Sequence, residues 1–196
     1  MLRAAVVVCA LALVAGSFGA SAAPVPVHLM PKPEPLFFPT TVGAKHVSIW
    51  NKKELVEVAS KVTKIEGGFE VEMETVHEDG THTHSETVRV TSRGLVRTHS
   101  DGKQLALPCE LLVLPHVANN TWKSNWGGQI RVLSTAGWEE IEVPAGKVRA
   151  MRVDSDETGD GVPDSAAWDA PGIGCVSWYC QLSKCGRPLK SFTPGK

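Results

Sequence analysis

Past residue 22 the chain contains no apolar run long enough to cross a bilayer, so no helical membrane anchor is expected in that part. Net charge is also nearly absent: 20 Lys and Arg face 21 Asp and Glu, a formal balance of −1. Such a chain has no electrostatic reason to take nucleic acid or an anionic membrane surface as its partner. Catalytic signatures are missing as well. The sequence has no G-x-S-x-G elbow, no H-E-x-x-H pair and no phosphate-binding glycine loop, and its cysteines lack the C-x2-C spacing of a zinc knuckle. A non-enzymatic protein is therefore expected. There is no internal repeat, and no amphipathic helical stripe in the second half. Tyrosine occurs once, whereas tryptophan occurs six times.

What is present begins with "MLRAAVVVCALALVAGSFGASA", one early arginine followed by a short apolar run and small residues. That is the pattern of a secretory leader, with Ala20-Ser21-Ala22 as the cleavage triplet. Cys9 has too few residues before it to serve as a lipid-anchored cysteine. Residues 1–22 are read as signal peptide, and the mature protein is expected to be exported to the periplasm or beyond. The next stretch, 23–36, reads as an extended tether, because the six prolines of residues 24–39 deny helix and ladder hydrogen bonds alike. Residues 37–196 have a length that suits one domain.

Within that domain, short runs rich in Val, Ile, Thr and Trp alternate with Gly, Asn, Asp and Pro, the pattern of an antiparallel β protein. Leu55–Lys64 fits a helical stripe too, but its β-branched residues favour a strand. In "FEVEMETVHEDGTHTHSETVRV" one face is apolar and the other acidic, and a two-residue type I′ turn at Asp79-Gly80 sets a register. It places Val71 opposite Val88, Phe69 opposite Val90, His77 opposite His82 and Thr75 opposite His84. The stretch "LPCELLVLPHVANNTW", bracketed by Pro108 and Pro115, reads as a crossing segment or short helix covering one face of the sheet.

Four groups of residues are candidates for chemistry. The loop "DSDETGDGVPD" places Asp156, Thr158, Asp160, Gly161 and Asp164 at positions 1, 3, 5, 6 and 9 of an acidic calcium loop, where hard oxygens and a turning glycine are needed. Position 12 is Ala167 rather than the closing glutamate, and the competing reading is a solvated turn. His77, His82 and His84 would share a face at the hairpin tip, and three imidazoles suit a transition metal. Cys180 and Cys185 can close a disulfide across "QLSK", leaving Cys109 for Cys175; reduced thiols or another connectivity are the alternatives. Trp50, Trp122, Trp126, Trp138, Trp168 and Trp178 are candidates to line an apolar ligand cavity, the competing reading being ordinary core and rim.

Three segments, "FFPTTVGAKHVSIW", "VPAGKVRAMRV" and "WDAPGIGCVSW", resemble a loosely defined family of planctomycete-type exported bacterial proteins. The matching residues are Pro39, Gly43, Trp50, Pro144, Ala145, Gly146, Trp168, Ala170, Pro171, Gly172, Gly174 and Val176. Those proteins are similar to the LolA/LppX-type lipoprotein-carrier fold. The resemblance implies a mainly β domain: a single curved antiparallel sheet forming a half-barrel around an apolar cavity, with a short covering segment. The function it implies is binding of a lipid or other apolar small molecule. The alternative is a structural or interaction module of the cell envelope, stiffened by calcium at the 156–164 loop, with an envelope protein as partner. A metal-dependent enzyme built on the three histidines is the third reading.

Overall fold

The computed structural model describes residues 36–117 and 120–196. The leader and all of the tether but Leu36 lie outside the described residues. β-Branched and aromatic residues set in phase, with Gly, Asn or Asp between runs, produce strands joined by tight turns. β1 (Lys45–Trp50), β2 (Lys53–Ile65), β3 (Gly68–Val76), β4 (His82–Thr91), β5 (Gly94–Ser100) and β6 (Lys103–Val113) follow one another as antiparallel neighbours in a first sheet. β7 (Thr121–Trp126), β8 (Gln129–Val143), β9 (Gly146–Asp156), β10 (Ser165–Ala170), β11 (Gly174–Cys180) and β12 (Cys185–Gly186) do the same in a second. β13 (Leu189–Thr193) returns to the first sheet beside β1. No helix occurs among the described residues.

The antiparallel β reading holds, but the expected single sheet is corrected to two, and the breaks have local causes. Residues 185–193 run as one line that leaves the second sheet and joins the first. Arg187 exchanges backbone bonds with Trp178 at 2.7 and 3.3 Å, and the next carbonyl, Pro188 O, accepts from Ile49 N at 3.0 Å. Pro188 itself has no N–H with which to carry a ladder through. At the opposite edges, β6 and β7 meet through side chains instead of a ladder. Trp122 Nε1 donates to Glu110 O at 3.1 Å, and Cys109 Sγ bonds Ser124 Oγ at 3.3 Å. The two sheets are not closed into a barrel.

The expected covering segment at 107–122 is also corrected. Leu107 to Val113 belong to β6, the edge strand of the first sheet, and Thr121 opens β7. Pro108 fits there because the register jumps from His99 opposite Gln104 to Arg97 opposite Cys109, which leaves residues 105–108 unpaired with β5. Leu55–Lys64 is strand, within β2.

The β3–β4 hairpin follows the expected register at its base, with Phe69 opposite Val90 and Val71 opposite Val88. Its tip differs. His77 N donates to Thr81 O and Gly80 N to His77 O, both at 2.9 Å, while only Gly80 takes a positive φ, +79°. The loop is thus a three-residue turn ended by a left-handed glycine, and a bulge between Met73 and Glu74 absorbs the extra residue, Ser85 on β4. Beyond that bulge every pairing is shifted by one.

The main core lies between the sheets. Val71, Met73, Val88, Val90, Leu95 and Leu112 from the first sheet meet Leu133, Met151 and Val153 from the second. Phe37 and Phe38 are buried in the same cluster. Gly174, at φ +95°, lets the Phe38 ring approach to within 3.0 Å of where a Cβ would stand.

Candidate functional site

Charged side chains placed in phase with apolar ones turn inward and meet between the sheets. On β5, Arg97 alternates with Leu95; on β8, Arg131 alternates with Leu133; on β10, Asp169 alternates with Ala167 and Ser165. These residues, with Glu86 of β4, Ser155 of β9, Cys175 of β11 and Arg187 of the crossing strand, line a cavity of about 330 Å³. Most of its wall is apolar, from Phe38, Leu55, Leu95, Leu111, Leu133 and Val153, and both sheets contribute. Trp50 and Trp178 meet across the sheets with ring centroids 5.7 Å apart and form part of the same wall.

Each arginine of the cavity has a carboxylate. Arg97 Nε donates to Glu86 Oε2 at 2.6 Å, Arg131 Nη1 to Glu157 Oε1 at 2.6 Å, and Arg187 Nη1 to Glu57 Oε2 at 3.4 Å. Burial alone would push the Glu86 carboxyl up, but the charges of Arg97 and Arg187 prevail and hold it below its ordinary value. Asp169 has no such rescue. Burial pushes it up, the Glu86 charge adds to that, and Arg187 offsets only part, so its pKa reaches about 7. Cys175, its register partner across β10 and β11, is raised to about 12, first by burial and then by the Asp169 charge. At neutral pH Cys175 is a thiol, not a nucleophilic thiolate.

Three of the cavity-lining residues carry a polar atom that is fully buried without a hydrogen-bond partner among the described residues: Trp126 Nε1, Arg131 Nε and Ser155 Oγ. The guanidiniums of Arg97 and Arg131 stand over the Trp126 ring, 5.1 and 4.8 Å from its centroid. Trp126 is thus fixed by cation–π contact while its N–H stays free.

The other expected sites come out differently. Of the six candidate tryptophans, Trp50, Trp126 and Trp178 line the cavity. Trp168 points away from it and donates to Glu139 Oε2 at 2.7 Å; Trp138 packs on Phe37 with centroids 5.6 Å apart; Trp122 bonds the β6 backbone. In the acidic loop the carboxylates serve the loop's own backbone. Asp156 accepts from Gly159 and Gly161, Asp160 Oδ1 from Val162 at 2.9 Å, and buried Asp164 Oδ2 from Glu157 at 2.7 Å and Thr158 at 2.9 Å. Thr158 contributes a backbone N–H to this net. The oxygens point at amides instead of converging, which is the geometry of a capped turn.

The histidines are separated by the shifted hairpin tip. His82 and His84 stay on one face, opposite Val76 and Glu74, while His77 falls on the other and bonds Thr83 Oγ1 at 2.8 Å. His82 Nδ1 lies 2.9 Å from Glu74 Oε2, and His84 bonds Thr87 and the Gly102 amide. The described residues contain no group of three or more His, Cys, Asp or Glu side chains placed to share a metal ion. Among the described residues Cys109, Cys175, Cys180 and Cys185 stand as free thiols, the reduced alternative to the pairing read from the sequence. Cys109 is bonded to Ser124 and Cys175 to the Ser177 carbonyl, on strands of different sheets. Cys180 and Cys185 do face each other in register, but Ser183 Oγ takes Cys185 Sγ at 2.8 Å and also bonds Cys180.

Sequence reasoning missed Glu86, Arg97, Arg131, Ser155, Asp169 and Arg187 as cavity residues. For most of them the signal was available: a charge or hydroxyl in phase with the apolar face of its own strand. Such a residue is costly inside unless paired, and Arg97, Arg131 and Glu86 are paired.

No protein-family model and no curated protein matches the sequence. Among solved structures, the chain is similar to a "putative lipoprotein" from Parabacteroides distasonis. Identity is 15%, the match covers 81% of this chain and 99% of that one, and the TM-score is 0.50. It is also similar to a "putative exported protein with YmcC-like fold" from Bacteroides fragilis, at 14% identity, with 81% and 99% covered and a TM-score of 0.53. The likeness is one of fold. At such identity the YmcC-like architecture carries no information about which side chains face the cavity, so the site stands on its own geometry.

Proposed function

We propose that the protein is an exported, non-enzymatic binding protein that holds a small apolar molecule between its two sheets. The observation that carries this reading is the cavity itself: about 330 Å³, walled mainly by apolar side chains from both sheets, with a few convergent polar groups. Its size falls at the lower end of the ~300–1,000 Å³ typical of small-molecule sites. Burying an apolar ligand there removes surface from water on both partners, at about 25 cal/mol for each Å². The sequence resemblance to LolA/LppX-type carriers points the same way. Export to the cell envelope is supported by the leader pattern and by the similar structures, described as a lipoprotein and an exported protein.

A neutral apolar fluorophore such as N-phenyl-1-naphthylamine tests the reading. The exported protein should raise its fluorescence saturably, and Ala167→Trp, which fills the cavity from its β10 wall, should abolish the signal while strand content stays unchanged. Saturable binding that Ala167→Trp leaves intact would place the ligand elsewhere. Failure to bind any apolar probe would favour an envelope interaction module.

A further inference from the structure

The charges around the cavity leave one group over. Arg97, Arg131 and Arg187 are matched one for one by Glu86, Glu157 and Glu57. Asp169 is the carboxyl in excess, and among the described residues it enters no ion pair and accepts no hydrogen bond. Two donors that face it are committed elsewhere: the Cys175 thiol donates to Ser177 O at 3.2 Å, and Arg187 Nη1 donates to Glu57. A buried carboxyl without a partner is unfavourable and calls for a reason.

Asp169 is also open to a ligand. Ser165, Ala167 and Asp169 alternate along β10 and all three line the cavity, so the Asp169 side chain points into it. The residue is 6% exposed, and its oxygens are not sealed into the wall as Ser155 Oγ is. A donor can meet this carboxyl from the cavity side.

Charge decides which donor. An anionic ligand would add a second unmatched negative charge, whereas one positive charge supplies what Asp169 lacks. Arg187 faces the same carboxyl, but Glu57 and Glu86 both act on its guanidinium and offset its charge. Resting on the binding reading above, we propose that the cavity takes a basic amine whose ammonium group pairs with Asp169 and whose apolar body lies along Phe38, Leu55, Leu95, Trp50 and Trp178. The ammonium donates to the Asp169 oxygens and replaces the proton that burial otherwise keeps there, so binding to the protonated site releases one proton to solvent. The other charged or titratable groups that face Asp169 are Glu86 from β4, Cys175 from β11 and Arg187 from the crossing strand; β9 sets Met151 opposite it.

The test is competition for N-phenyl-1-naphthylamine at pH 8 by decylamine, decanol and decanoate, using the exported protein. Decylamine, as its ammonium ion, should displace the probe at about tenfold lower concentration than decanol, the ratio expected for one charge-assisted bond, and decanoate should be the weakest of the three. Asp169→Asn keeps the shape and removes the charge. It should cancel the amine's advantage while leaving decanol and the probe within about twofold. In the parent, decylamine should bind about tenfold more weakly at pH 5.5 than at pH 8, because the Asp169 proton must then be displaced, and decanol should not change. Equal displacement by amine and alcohol, tightest binding of decanoate, an advantage that survives Asp169→Asn, or an amine affinity flat with pH would overturn the amine site while the cavity reading stands. No saturable binding of the probe itself would remove both.

Discussion

At Asp169, burial and the Glu86 carboxylate act in the same direction, and the consequence is a pH-dependent stability. The folded chain keeps the Asp169 proton up to about pH 7, whereas the ordinary value is 3.8. Between those values the folded form binds more protons than the unfolded form, so stability falls as pH rises, and it is flat on either side. The full span corresponds to about 4 kcal/mol. Asp169→Asn, which cannot ionise, should match the parent near pH 4, melt higher than the parent at pH 8, and lose the slope between; a pH series of melting temperatures reads this directly. A parent whose stability rises from pH 4 to pH 7 by an amount that Asp169→Asn leaves unchanged would mean the carboxyl is solvated. This inward acid was legible only in part. Asp169 stands in phase with Ala167 and Ser165, which marks it as facing the core, but the distance to Glu86 depends on how two sheets are stacked, and no strand pattern encodes that.

The elements show the same division between what is local and what is not. The residue pattern placed a strand at Leu55–Lys64 and gave the base register of the β3–β4 hairpin, because each is a matter of neighbouring residues. The hairpin tip was missed by one residue, because Asp79-Gly80 also supports a type I turn closed by a left-handed glycine. That single residue decides whether three histidines share a face. The acidic loop between β9 and β10 likewise has the composition of a cation site and the hydrogen bonds of a capped turn. Its expected behaviour follows from Asp164, which is buried and receives two backbone N–H groups at 2.7 and 2.9 Å. Asp164→Ala should destabilise the protein by roughly 2 kcal/mol, since two backbone donors lose a charged, buried acceptor. A chelator should leave the melting temperature where it is. A marked drop on chelation, restored by calcium, would show that the carboxylates turn from the amides to an ion.

For the whole molecule, the decisive feature is that the two sheets share one strand line at residues 185–193 and touch through side chains at β6 and β7, leaving a cavity between them that neither sheet forms alone. The sequence indicates an exported antiparallel β protein rich in tryptophan, yet only Trp50, Trp126 and Trp178 of the six candidates reach the cavity, and the polar wall was not foreseen. Which face of a strand lies inward is written in its alternation; which inward residues are left at a gap in the packing is set by the sum of many contacts. Native mass spectrometry of the protein purified from an exporting host addresses the binding function most directly. The expected spectrum shows the polypeptide with an additional small-molecule mass that leaves on organic extraction and is missing from Ala167→Trp. The bare polypeptide from several hosts, or an adduct that Ala167→Trp retains, would contradict a ligand held between the sheets.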